Sequence, residues 1–195
     1  SGWNFFGATG NLLKSAGMTV LVNKFLGPSQ NAAVAISNSV SGHAQSLSAA
    51  LVGAFMPAIT NACGAGERER MIKLIHTTCK FGAVLLLPFM LPLALEIEEV
   101  MILWLKTPPA GTGSLCLYIF ATLILEKLTT GHWVAIAANG KIAKYQMLVG
   151  SCFIATLPIA ALMMYCGLGI QAVGLSLLTT LSIVVVIRLI ALKRL

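Results

Sequence analysis

Lys14 sits halfway along an apolar stretch from Trp3 to Leu26, and Glu126-Lys127 interrupts a second one between Ser114 and Ala138. A charge at mid-bilayer depth is expensive and has few structural uses, so it is a functional candidate by default. An ammonium there must be solvated by water, paired with a carboxylate or met by a ligand. Adjacent residues point about 100° apart on a helix, so Glu126 and Lys127 are not a face-to-face pair. Glu126 is the one carboxylate at that depth and can neutralise only one of the two lysines; Lys14 is its candidate partner. Asn38, Ser41, Gln45 and Ser48 recur every three or four positions in a third stretch, with Ser39, His43 and Ser46 on an adjacent face. A polar stripe this wide does not face lipid; it lines a helix interface or a water-filled cavity. Lys14, Lys127 and the stripe are the candidate binding residues. Glu126, His43 and His132 are the candidates for carrying a proton or an ion.

No set of residues reads as catalytic. Gly111-Thr-Gly113 lacks the third glycine of a dinucleotide fingerprint, and there is no Walker loop or nucleophile elbow. His76 and Cys79 form a single pair, without the second pair that would complete a zinc site. The five cysteines contain no C-x-x-C spacing and lie mostly in apolar runs, where a free thiol behaves as a small hydrophobe. An enzyme, a metal site and a cofactor are therefore not expected.

The elements that must position these residues follow from composition and breakers. Of the 195 residues, 57% are hydrophobic and 10% charged, and the mean hydropathy is +0.89. Soluble domains carry about 25% charged residues, so a soluble enzyme, a disordered tail and a nucleic-acid-binding domain are excluded. The chain reads as an all-α, polytopic membrane protein. A span needs about 20 apolar residues, and the length accommodates six in one bundle. Proline, glycine and polar clusters place them at about 3–26, 30–61, 71–95, 114–138, 145–165 and 171–192, with an amphipathic piece from Ile97 to Leu105. Ser1 leads almost directly into Trp3-Asn4-Phe5-Phe6, with no initiator methionine and no signal-peptide pattern. The segment reads as the interior of a longer protein.

The formal net charge of +7 falls unevenly. Arg68, Arg70, Lys73, Lys80, Lys141, Lys144, Arg188, Lys193 and Arg194 belong to one set of helix ends. Lys24 and Lys106, beside Glu96, Glu98 and Glu99, belong to the other. By the positive-inside rule the first set is cytoplasmic, which puts both termini of the segment in the cytoplasm. The basic excess is a topology signal, with membrane lipid as its secondary partner, and nucleic acid is not expected.

Two strings carry a family resemblance. Ala65-Gly66-Glu67-Arg68-Glu69-Arg70-Met71-Ile72-Lys73-Leu74 resembles the cytoplasmic loop after an even-numbered helix in bacterial polysaccharide flippases. Ala138-Asn139-Gly140-Lys141-Ile142-Ala143-Lys144-Tyr145-Gln146 is similar to a segment of O-antigen transporters, as are Gly2-Trp3-Asn4 and the piece from Glu96 to Leu105. These belong to the superfamily of multidrug, oligosaccharidyl-lipid and polysaccharide exporters, whose members have two six-helix bundles. The resemblance implies a MATE-like fold, with this chain most like the second bundle and the other half on the same full-length protein. It implies a bacterial inner-membrane transporter that moves a polyprenyl-diphosphate-linked oligosaccharide from the cytoplasmic to the periplasmic leaflet, in polysaccharide or O-antigen biosynthesis. Lys14 and Lys127 would then meet the diphosphate, and Asn38, Ser41, Gln45 and Ser48 the sugars. A drug or cation antiporter of the same fold, with Glu126 binding Na⁺ or a proton, is the alternative. A non-transporting fragment or assembly subunit, whose helices only pack, is the third reading.

Overall fold

Proline and glycine punctuate an otherwise helix-forming chain. The computed structural model describes residues 2–139 and 142–193. Every regular element among them is a helix: α1 Gly2–Phe25, α2 Pro28–Gly64, α3 Arg68–Leu95, α4 Ile97–Leu105, α5 Thr112–Lys127, α6 Thr130–Ala138, α7 Ala143–Tyr165 and α8 Gln171–Lys193. The expected turn at Gly140-Lys141 and the basic residue Arg194 lie outside the described residues, as do the side chains of Trp3, Asn4 and Lys193. Pro28 opens α2 at a position whose N–H would have no helical partner anyway. Gly66 and Gly167 take positive φ of 72° and 87° and close α2 and α7. In each case the next residue's N–H reaches back five positions, Glu67 to the Ala62 carbonyl and Leu168 to that of Met163.

Three helices, α3, α7 and α8, are long and apolar enough to cross a membrane, and two bent units raise the number to five. The sequence led us to expect six. The difference is α1, which has the length at 24 residues but carries Asn11, Lys14, Asn23 and Lys24. The first bent unit is α2, which turns by 44° between Ala50 and Val52. Pro57 follows in the same helix, where its ring displaces the carbonyl four residues earlier, that of Gly53. The second corrects the expected continuous helix over 114–138, which is two helices, α5 and α6, meeting at 45°. The amphipathic piece after Glu96 is α4, an independent helix.

Small residues set the closest approaches. A Cβ on Gly10 of α1 would lie 3.0 Å from the Gly150 carbonyl oxygen of α7. One on Gly131 of α6 would lie 2.7 Å from the Ile75 carbonyl oxygen of α3. Such contact lets helices pack by dispersion where lipid supplies no hydrophobic drive. Outward faces are apolar: Phe81, Leu85 and Phe89 on α3, Leu148 and Leu162 on α7, and Ile183, Val186 and Ile190 on α8. A set of polar and charged side chains meets around a space lined by every helix except α3 and α4.

Candidate functional site

That space is a cavity of about 650 Å³, within the range of ligand-binding sites. α1 contributes Asn11 and Lys14, and α2 contributes Gln45, Gly53 and Met56. Thr122, Glu126 and Lys127 come from α5, and Thr130 and Trp133 from α6. Phe153 of α7 and Thr180 and Arg188 of α8 close the far side. Three cations therefore surround one carboxylate.

Each charge is held differently. The Lys14 ammonium lies 4.5 Å from the centre of the Phe153 ring, a cation–π contact of about 0.5–2 kcal/mol. Glu126 is near enough to attract Lys14, yet the one ion pair within 4 Å among the described residues is Arg70–Glu67, at the surface. Lys127 is 8% exposed and makes no hydrogen bond or ion pair among those residues. Arg188, 7% exposed, donates from Nε to the Tyr145 hydroxyl at 3.1 Å and from a terminal nitrogen to Thr129 Oγ1 at 2.9 Å. A guanidinium has five N–H donors, so three remain for whatever enters.

Arg188 is anchored at the break in the α5–α6 unit. Thr129 has non-helical φ and ψ of −124° and 8°, which frees the last carbonyls of α5. The Thr130 hydroxyl donates to the Glu126 carbonyl at 2.9 Å, and that of Thr129 to the carbonyls of Leu125 and Glu126 at 3.3 and 3.2 Å. Irregular backbone at membrane depth is tolerated where it is satisfied in this way and lines a cavity. On the other side of the break, Gly131 brings α6 against α3. There the amides of Gly131 and His132 point at the Cys79 sulfur, which lies 3.6 Å from His132 Nδ1.

The cavity thus brings together Lys14, Gln45, Glu126 and Lys127 from the residues singled out in the sequence. It does not gather the rest. Asn38 and His43 are exposed outside it, His132 is buried against Cys79, and Ser41 and Ser48 are buried in helix contacts at 3% and 0% exposure. Arg188 was read only as a topology charge. Its signal was its setting, a lone arginine inside Val184-Val185-Val186-Ile187 and Leu189-Ile190.

A family model, MatE, matches residues 11–125, more than half of the chain. The chain belongs to the MatE family. Members are multi-pass membrane transporters and not enzymes, and in this MatE protein the matched region runs from Asn11 through α5, ending one residue before Glu126. No curated protein matches the chain, and no solved structure does.

Proposed function

We propose that this MatE protein moves a polyprenyl-diphosphate-linked oligosaccharide from the cytoplasmic to the periplasmic leaflet of a bacterial inner membrane. On this reading the segment is the second bundle of a full-length transporter, with its termini cytoplasmic. The observation that carries it is the balance of charge in the cavity, three cations against Glu126. Excess positive charge in a site of low dielectric favours an anionic cargo and repels an organic cation. Gln45, Asn11 and Thr130 supply amide and hydroxyl groups for sugars, and Trp133 and Phe153 supply flat apolar faces. Lys14 and Lys127 receive the diphosphate, joined by Arg188.

The test is O-antigen display in a strain lacking its own flippase, complemented by the full-length protein. Lys14→Gln/Lys127→Gln is expected to abolish display with expression unchanged. Full display by the double variant would refute the reading. Export of a cationic dye, lost on Glu126→Gln but retained by the lysine variants, would establish the antiporter instead.

A further inference from the structure

Four prolines lie inside the described helices, and each strips a hydrogen bond from the carbonyl four residues before it, because proline has no N–H. Pro88 and Pro92 of α3 free the carbonyls of Val84 and Pro88, and Pro158 of α7 frees that of Ile154. Pro57 of α2 frees that of Gly53. Of these four residues only Gly53 lines the cavity. Val84 and Ile154 instead carry exposed apolar side chains.

Glycine has no side chain, so what Gly53 presents to the cavity is its main chain. A Cβ built on it would meet nothing within 4 Å. A helical carbonyl points along the axis toward the residues three and four positions on, and Met56, three positions on, lines the cavity too. The freed oxygen therefore lies along the lined face. The next hydroxyl on the helix does not reach back to it, since Thr60 donates to the Met56 carbonyl at 2.8 Å. Lys14 is turned to the Phe153 ring, and Arg188 to Tyr145 and Thr129. Gly53 lies about 16 Å from the end of α2 at Gly64, a depth within a hydrocarbon core about 30 Å thick. Lipid offers no donor there, so the carbonyl must be met from the cavity.

The charge of the cavity selects the donor. Three cations against Glu126 repel a metal ion or an ammonium, either of which would otherwise suit a carbonyl. A neutral hydroxyl or amide N–H carries no such penalty. We propose that the Gly53 carbonyl, released by Pro57 and bared by the missing side chain, is an acceptor in the cavity wall for a neutral hydrogen-bond donor of the cargo. The proposal rests on the oligosaccharide cargo argued above. A sugar hydroxyl and an acetamido N–H present the same chemistry, so the test includes both. Pro57 acts through Gly53 and is a positioning residue.

The full-length protein in lipid nanodiscs is titrated with a short-chain polyprenyl diphosphate, with the same carrier bearing one hexose, and with the carrier bearing one N-acetylhexosamine. The wild type should prefer the sugar-bearing probes to the bare carrier. In Pro57→Ala, position 57 gains an N–H that closes on the Gly53 carbonyl. This variant should unfold at a higher temperature and bind the bare carrier as the wild type does. Its preference for the sugar should fall about two- to tenfold, as expected for one neutral hydrogen bond. Lactic acid incorporated at position 57 is the backbone ester of that variant, with an oxygen in place of the N–H, and should restore the preference. A loss confined to the N-acetyl probe assigns the donor to the acetamido N–H, and an equal loss for both assigns it to a hydroxyl. An unchanged preference in Pro57→Ala overturns the acceptor and leaves the anionic cargo standing. A loss that the ester does not restore, or an equal loss for the bare carrier, also overturns it, since the proline ring or the helix bend would then be responsible. Failure of the wild type to bind the bare carrier removes both readings.

Discussion

Replacing Arg188 by methionine separates a group kept for its charge from one kept for the fold. The side chain makes two hydrogen bonds, to Tyr145 and Thr129, and bonds to charged groups contribute about 1.5–3 kcal/mol each. Their loss costs about 3–6 kcal/mol. Against this stands the desolvation of a guanidinium only 7% exposed, several kcal/mol per buried ion even after relaxation. The two nearly cancel, and methionine fills most of the volume. Arg188→Met should therefore stay within about 2 kcal/mol of the wild type, a shift of about 4–8 °C at most for a chain of this size. Tyr145→Phe keeps the charge and removes an acceptor, so it should destabilise by about 1–3 kcal/mol, more than Arg188→Met does. Transport of an anionic cargo should fall at least tenfold in Arg188→Met. Thermal unfolding in detergent and O-antigen display measure the two halves. Collapse of Arg188→Met by more than about 5 kcal/mol, or undiminished display, would refute the reasoning.

Gly131→Ala would put a methyl 2.7 Å from the Ile75 carbonyl oxygen and 3.1 Å from Cys79 Sγ. Parting α6 from α3 should cost about 1–3 kcal/mol, read as earlier unfolding, and Gly10→Ala at the α1–α7 contact should do the same. Cysteine scanning of α2 should give a reactive thiol at position 45 and protected ones at 41 and 48, using a small aqueous reagent; equal reactivity at all three would contradict the burial. Impermeant labelling in intact cells should mark a cysteine at position 98 and spare one at 69, and the reverse result would invert the proposed orientation.

The helices were legible because their stops are chemical. Gly27-Pro28, Gly66 and Gly167 announce themselves, and the acidic start of α4 marks it as separate from α3. The break between α5 and α6 was not legible, since Leu128-Thr129-Thr130 contains neither proline nor glycine. It depends on the Thr129 and Thr130 hydroxyls, which satisfy the carbonyls of Leu125 and Glu126, and on Arg188 of α8, which donates to Thr129. The α2 stripe was read as one face, although three residues on a helix turn by about 300°. Asn38 with Gln45 and Ser41 with Ser48 thus form two faces about 60° apart, and only Gln45 reaches the cavity. Lys14, Glu126 and Lys127 stood out because charge at mid-depth is rare. Arg188 did not, because near a helix end the same charge also serves topology.

The glycine contact between α1 and α7 bears on how the protein enters the membrane. A lysine at the centre of an inserting helix costs about 2.5–3.5 kcal/mol at the translocon, and α1 carries Lys14 with Asn11 one turn before it. Its ring partner Phe153 and its packing partner Gly150 lie on α7, some 140 residues downstream. At about 5–20 residues per second, α1 waits roughly 7–28 s before they are made. During biogenesis α1 lacks these two contacts until α7 emerges. Within this segment the settling of α1 then waits on α7, and synthesis speed over α2–α6 sets how long its contacts stay unmade.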